Sequence, residues 1–194
     1  GSFSNGLMLS LQGPMIPELA ARIGVDSSAL GTFLGLGGVS GGLLSVPTGL
    51  LVDRVDPHMV FLAGVIIRAV AVAALPLCTE LWQANLLAVV QGGTLPLVGV
   101  SIRVGLVRAF TSEQCAAALN FALGFFGLAS ILAPLVYASL TSMSPAHGFD
   151  LTFGFATSTY VLLAAVIPCV KTPTMQSIGW DVSSWRLSSN RSPP

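Results

Sequence analysis

The sequence is poor in charged residues. Asp, Glu, Lys and Arg make up only 8% of its 194 residues, whereas a soluble domain typically carries about 25%. A hydrophobic content of 53% and a mean hydropathy of +0.83 predict a membrane protein. The net charge is zero, so the composition indicates no basic surface for nucleic acid.

Cysteine, lysine and histidine are also scarce, and each shortage excludes a kind of site. The three cysteines are odd in number and far apart, which argues against a disulfide framework. The only lysine is Lys171, and no Gly-Lys-Ser/Thr occurs, so the glycine-rich stretches are not phosphate-binding loops. His58 and His147 fall at predicted helix ends on opposite sides of the membrane. We therefore predict no enzyme, no metal site and no cofactor.

Long apolar segments dominate what remains, and polar breaks separate them. They predict an all-α membrane protein in which six transmembrane helices form a bundle over residues 1–170. Residues 171–194 are rich in Ser, Pro and Arg and predict a disordered polar tail. The predicted helices span about 3–22, 28–52, 58–77, 81–107, 116–140 and 150–170.

Two of these helices carry irregular residues. The first is predicted to be kinked or unwound near Pro14, and Asp26 or Ser27 could cap the second. Small residues recur along the second helix in steps of 4, 3, 4, 3 and 4, a spacing that lets membrane helices approach closely. We predict that they form a packing seam: Gly31, Gly35, Gly38, Gly42, Ser45 and Gly49.

Arg68 is the one charge predicted to lie deep in the bilayer, in the middle of the third helix. Such residues are costly and often functional. The alternatives are that its long side chain snorkels to the interface or bonds to carbonyls of a neighbouring helix. Its spacing to other residues names no partner, so these interpretations stay open.

Asp53 and Arg54 lie where the second helix leaves the membrane. A carboxylate at the C-terminal end of a helix is unfavourable, which predicts a partner elsewhere. With Gly49 they form Gly-x-x-x-Asp-Arg, which resembles the loop signature of the major facilitator superfamily between its second and third transmembrane helices. Two shorter stretches, Gln91-Gly92 and Ala133-Pro134, resemble that family's fourth-helix and fifth-helix motifs.

The resemblance covers residues 6 to about 170 and implies one half of a fold that has two six-helix halves around a central cavity. The chain is then expected to be a fragment, or to pair with a second six-helix half or with another copy. In this family Gly49, Asp53 and Arg54 would form a cytoplasmic latch between the halves. Asp56 and His58 depart from the motif, replacing a usual glycine and a usual basic residue.

The resemblance also suggests where a solute would bind, because the family's first and fourth helices line the cavity. The candidate contacts, one of them on the fifth helix, are Gln12, Asn85, Gln91, Thr94 and Asn120. Uncharged groups suit a sugar or polyol, although such groups also commonly bond to neighbouring helices. Three residue pairs that end in proline, at 13–14, 75–76 and 133–134, resemble pairs in sodium-dependent glucose transporters and fucose permeases.

The expected function is therefore movement of a small polar solute across a lipid bilayer by alternating access. A non-transporting membrane scaffold or regulatory half-protein is the alternative. No acidic residue is predicted at the bilayer midplane, so this half is not expected to supply a proton site. The basic residues favour cytoplasmic termini, because the cytoplasmic side would receive all of them except Arg22 and the intramembrane Arg68.

Overall fold

The structure, a computed structural model, describes residues 1–169, apart from the side chains of Ser112 and Glu113. Within that range the chain forms six α-helices, three short 3-10 helices and no strand. The α-helices are α1 Ser2–Ile23, α2 Gly31–Arg54, α3 Pro57–Ala74, α4 Leu81–Ala109, α5 Ser112–Met143 and α6 Gly148–Val166. The predicted tail, residues 171–194, lies outside the described residues.

The all-α prediction is confirmed, but the count of six spans is met only in part. Five helical segments are long and apolar enough to cross a membrane: Ser27–Arg54, Pro57–Leu77, Leu81–Ala109, Gln114–Met143 and Gly148–Cys169. The segment that does not meet this criterion is α1, where Asn5, Ser10 and Gln12 interrupt the apolar sequence. At 22 residues it is still about 33 Å long, which matches the thickness of a bilayer core.

Short polar loops set the helix ends. Asp26 accepts a hydrogen bond of 2.7 Å from the Ser28 N–H and caps the 3-10 helix that leads into α2, and this bond lowers the pKa of the Asp26 carboxyl. Asp56 caps α3 in the same way, accepting a bond of 2.9 Å from the His58 N–H. Gly24 ends α1 with φ of 76°, a conformation that favours glycine.

Predicted and observed helix ends differ by up to four residues, in both directions. α5 begins four residues before its predicted start and ends three residues after its predicted end, because polar residues such as Gln114 and Ser142 continue the helix beyond its apolar part. α1 runs without interruption through Pro14 and Pro17, so the unwound alternative near Pro14 is wrong, and the kinked alternative stays a prediction.

The helices run alternately between two ends of the bundle. We call the end that contains residue 1 the near end, and the opposite end, where α1 stops and α2 starts, the far end. α1 packs mainly against α5, α2 packs against α4, and α3 lies between α4 and α6. The buried core includes large side chains from α1, α3 and α6, among them Leu7, Met8, Leu11, Met15, Val65, Val72, Phe149 and Phe153.

The small residues of α2 predicted to form a packing seam do not do so within the described residues. Added Cβ atoms at Gly35, Gly38 and Gly42 would meet nothing within 4 Å, and these residues are exposed. Contact with α4 uses a different side of α2, where the place of a Cβ on Gly41 lies 3.0 Å from the Gly92 carbonyl oxygen. We call the exposed residues of the predicted seam the open stripe: Gly31, Gly35, Gly38, Gly42 and Ser45.

Candidate functional site

Three of the five predicted solute contacts remain accessible. Gln12 is half-buried near the middle of α1, and Asn120 is exposed on α5. Asn85 is half-buried on α4, and its Oδ1 accepts a bond of 3.2 Å from the Thr32 hydroxyl on α2. Since this contact lies at an exposed site, the Asn85 amide still has capacity for another partner.

The other two predicted contacts, Gln91 and Thr94, are turned into the bundle. Gln91 is only 2% exposed, and Thr94 is 3% exposed and donates its hydroxyl to the Gln91 carbonyl oxygen at 2.8 Å. Neither side chain can touch a solute at the surface of the described bundle. The face of α4 that carries them packs against the bundle, so they do not line an open surface among the described residues, and their role as solute contacts stays a prediction.

Arg68 is completely buried, so the snorkelling interpretation is wrong. Within the described residues its Nε and Nη1 have no hydrogen-bond partner, which also removes helix carbonyls as partners for those two atoms. Its guanidinium carbon lies 5.8 Å from the centre of the Tyr160 ring on α6. The Tyr160 hydroxyl, also buried, donates toward α1, to the carbonyl oxygen of Ser4 at 2.9 Å and to Oδ1 of Asn5 at 3.3 Å.

Tyr160 was not predicted from the sequence, although a signal for it exists. It is one of only two tyrosines, and it lies in the second half of α6, directly after the hydroxyl residues 157–159. A buried tyrosine usually finds a partner for its hydroxyl, so its position alone predicts a contact across the bundle. Which helix supplies the partner becomes known only from the fold.

The motif residues lie together at the near end of α2. Asp53 and Arg54 occupy its last turn and are exposed, and Gly49 one turn earlier has open space where a Cβ would stand. Neither charge forms an ion pair among the described residues, where Arg22 makes the salt bridges. The side chains of Asp53 and Arg54 are therefore free to contact another part of the protein or another molecule.

The departure of Asp56 from the family motif has a structural explanation. Its carboxylate caps α3, and Pro57 occupies the first turn of that helix, where a missing N–H is tolerated. A glycine here would provide no side-chain acceptor for the His58 N–H. Asp56 therefore serves the local fold, whereas Asp53 has no such role.

A second polar network joins three helices at the far end and was also not predicted. Arg22 of α1 donates to both carboxylate oxygens of Asp150 on α6, at 2.8 and 3.3 Å, and stacks 4.4 Å from the centre of the Phe149 ring. Glu18, one turn before Arg22, accepts a bond of 2.9 Å from the Tyr137 hydroxyl on α5. These contacts hold the far end of α1 against α5 and α6.

Among residues 1–169, no three His, Cys, Asp or Glu side chains lie close enough together to hold a metal ion. The arrangement is instead a bundle of membrane-length helices with a buried polar centre, an exposed charged motif at one end and an open stripe on α2.

The family model of the Major Facilitator Superfamily matches residues 1–186. The chain therefore belongs to the major facilitator superfamily, and it is a membrane transporter rather than an enzyme. A comparison with curated protein sequences finds no significant match. The family match does not favour the scaffold alternative, and it carries no information on a relation to sodium-dependent glucose transporters or fucose permeases.

Proposed function

We propose that this chain forms one half of an alternating-access transporter for a small uncharged polar solute of the sugar or polyol class. The supporting observation is the chemistry of the accessible candidates. Gln12, Asn85 and Asn120 each carry an amide, which both donates and accepts hydrogen bonds. A hydroxyl-rich solute needs both kinds of partner, whereas an ion would need a compensating charge.

The placement of charge supports the same class of solute. The carboxylates of Glu18, Asp53 and Asp150 lie at or near helix ends, and the buried Arg68 is not accessible. An anionic or cationic solute moving along this half would therefore meet amides rather than an opposite charge. α1 would be the sixth span and would line the cavity, which would account for the half-exposed Gln12.

Substitution of Gln12 tests the solute site. We expect Gln12→Leu to weaken solute affinity by about five- to tenfold, because one hydrogen bond contributes roughly 1 kcal/mol. The measurement is the concentration dependence of uptake into proteoliposomes, using a panel of labelled hexoses and polyols. Gly13→Ala is the matched control, since that neighbouring position is exposed and has open space. Unchanged affinity in Gln12→Leu would remove this residue from the site.

The partner in this proposal is a second six-helix half, and the open stripe is the surface that it contacts. Small residues allow two membrane helices to approach closely, and within the described residues those at 35, 38 and 42 have no neighbour. Copurification of two differently tagged copies of the chain decides whether a second copy supplies that half.

We further propose that Gly49, Asp53 and Arg54 act as a latch on the cytoplasmic side, which places the near end and both termini in the cytosol. The exposed Asp53 at the unfavourable end of a helix is the observation that supports this role. Its partner would be a cation of the second half, approached when the cytoplasmic side closes.

The latch predicts the behaviour of Asp53→Asn. We expect expression and insertion to stay normal, because the carboxylate makes no ion pair among the described residues. Loss of the charge should weaken the closed cytoplasmic side and raise the accessibility of engineered cavity cysteines from that side. Asp56→Asn is the control, since asparagine also caps a helix and should leave accessibility unchanged. Reduced insertion of Asp53→Asn without altered accessibility would instead make Asp53 a folding residue.

A further inference from the structure

Arg68 is a buried charge for which the described part of the chain offers no counter-charge. It is 0% exposed, and its Nε and Nη1 have no hydrogen-bond partner there. The carboxylates whose positions the structure describes lie at or near the ends of helices, away from the middle of α3. A buried guanidinium is costly unless neighbouring groups compensate it, so the surroundings of Arg68 need an account.

The Tyr160 ring compensates this charge in part. A separation of 5.8 Å between the guanidinium carbon and the ring centre falls within the range of about 6 Å over which a cation is attracted to an aromatic face. Both side chains are fully buried, so solvent does not weaken the attraction. Arg68 thus favours one orientation of the Tyr160 ring.

That orientation determines where the Tyr160 hydroxyl points. The hydroxyl reaches α1, where it contacts the Ser4 carbonyl oxygen at 2.9 Å and Asn5 Oδ1 at 3.3 Å. The contacts therefore connect α3 to α1 through α6. The Arg68 guanidinium contacts the Tyr160 ring, and the Tyr160 hydroxyl donates to the near-end part of α1. Gln12 lies two helical turns further along α1.

We propose that Arg68 is a positioning residue that acts through Tyr160 to set the placement of α1, and with it the position of Gln12. Arg68 itself does not touch the solute. The inference rests on the proposed role of Gln12 in solute binding, but the coupling between Arg68, Tyr160 and α1 is measurable without any solute.

The probe is a maleimide that reacts with a single cysteine. Cys78, Cys115 and Cys169 are replaced by serine in the full chain, and Gln12→Cys is introduced as a reporter on α1. Gly42→Cys, on the open stripe of α2, is the matched reporter, because α2 packs mainly against α4. The ratio of the labelling rates at the two positions reports movement of α1 and cancels general changes in folding.

We expect Tyr160→Phe and Arg68→Met each to change this ratio by about threefold, in the same direction. Tyr160→Phe removes the hydrogen bonds to α1, and Arg68→Met removes the cation from the Tyr160 ring. The double variant should change it no more than the larger single effect, because both act on the same contact with α1. Arg68→Lys, which keeps a cation near the ring, should change it less than Arg68→Met.

Two outcomes would overturn the proposal. An unchanged ratio in Tyr160→Phe, together with lower thermal stability, would make the cluster structural only. Additive effects in the double variant would show that Arg68 and Tyr160 act separately. Tyr160→Phe retains the ring and its volume, so it carries the test if Arg68→Met fails to fold. If Gln12 does not bind the solute, the Gln12→Leu uptake assay will show unchanged affinity. That result would not affect the ratio of labelling rates.

Discussion

Gly92→Ala is expected to prevent α2 and α4 from packing at their closest point. A Cβ on Gly92 would overlap the Gly37 carbonyl oxygen and the Ser40 hydroxyl oxygen. The obstacle includes backbone, which cannot rotate away, so the two helices would have to separate along their contact. Overpacking of a tight core typically costs about 1–3 kcal/mol, and we expect this backbone overlap to reach at least the upper end. Thermal unfolding in detergent, followed by circular dichroism, measures the loss.

Gly42→Ala is the matched control for this prediction. It adds the same methyl group to the same pair of helices, but at a position with no atom within 4 Å. Alanine is favoured over glycine in a helix by about 1 kcal/mol, so stability of the six-helix bundle should be unchanged or slightly higher. Equal destabilisation by both substitutions would contradict the assignment of the two faces of α2.

These two glycines also show how far the sequence determines the fold. Apolar segments and their polar breaks predict the all-α membrane class, because the bilayer core permits few other structures. The pattern of small residues on α2 predicts a close approach, but glycine occurs on more than one of its sides, as Gly37 and Gly42 illustrate. Which side meets α4 depends on the register between helices, and spacing within one helix does not contain that information.

The candidate site shows the same division. The position of Gly49, Asp53 and Arg54 near the end of a helix could be predicted from the sequence, because it follows from the apolar pattern. Gln91 could not be separated from Gln12 in this way, since both are uncharged amides in apolar helices. The structure buries Gln91 and leaves Gln12 half-exposed.

Contacts between distant parts of the chain were the least predictable. Arg68 was identified as unusual, but Tyr160 lies 92 positions later, and its bond to Ser4 joins residues 156 positions apart. The pairing of Arg22 with Asp150 likewise needs α1 and α6 to meet at the far end. Buried polar groups need hydrogen-bond partners, but the sequence alone does not tell which residues supply them.

Gly42→Leu is expected to abolish transport while leaving the six-helix bundle folded. The open stripe has room for a leucine within this half, because no atom lies within 4 Å of the added Cβ. If the second half packs there, the larger side chain would hold the two halves apart, since close approach between membrane helices depends on small residues. Uptake of the labelled hexose panel should fall to background, and the unfolding temperature should stay within a few degrees of wild type.

Leu43→Phe is the control that separates this effect from simple bulk on α2. Leu43 is 72% exposed and lies about 100° around the helix from Gly42, so a larger side chain there should contact lipid and leave uptake intact. Normal uptake in Gly42→Leu would show that no helix packs closely on the stripe. Loss of uptake in both variants would mean that transport is sensitive to added volume on either side of α2, and the stripe would then have no special role. Loss in Gly42→Leu alone, with normal unfolding, identifies the open stripe as the surface on which the transporter is assembled.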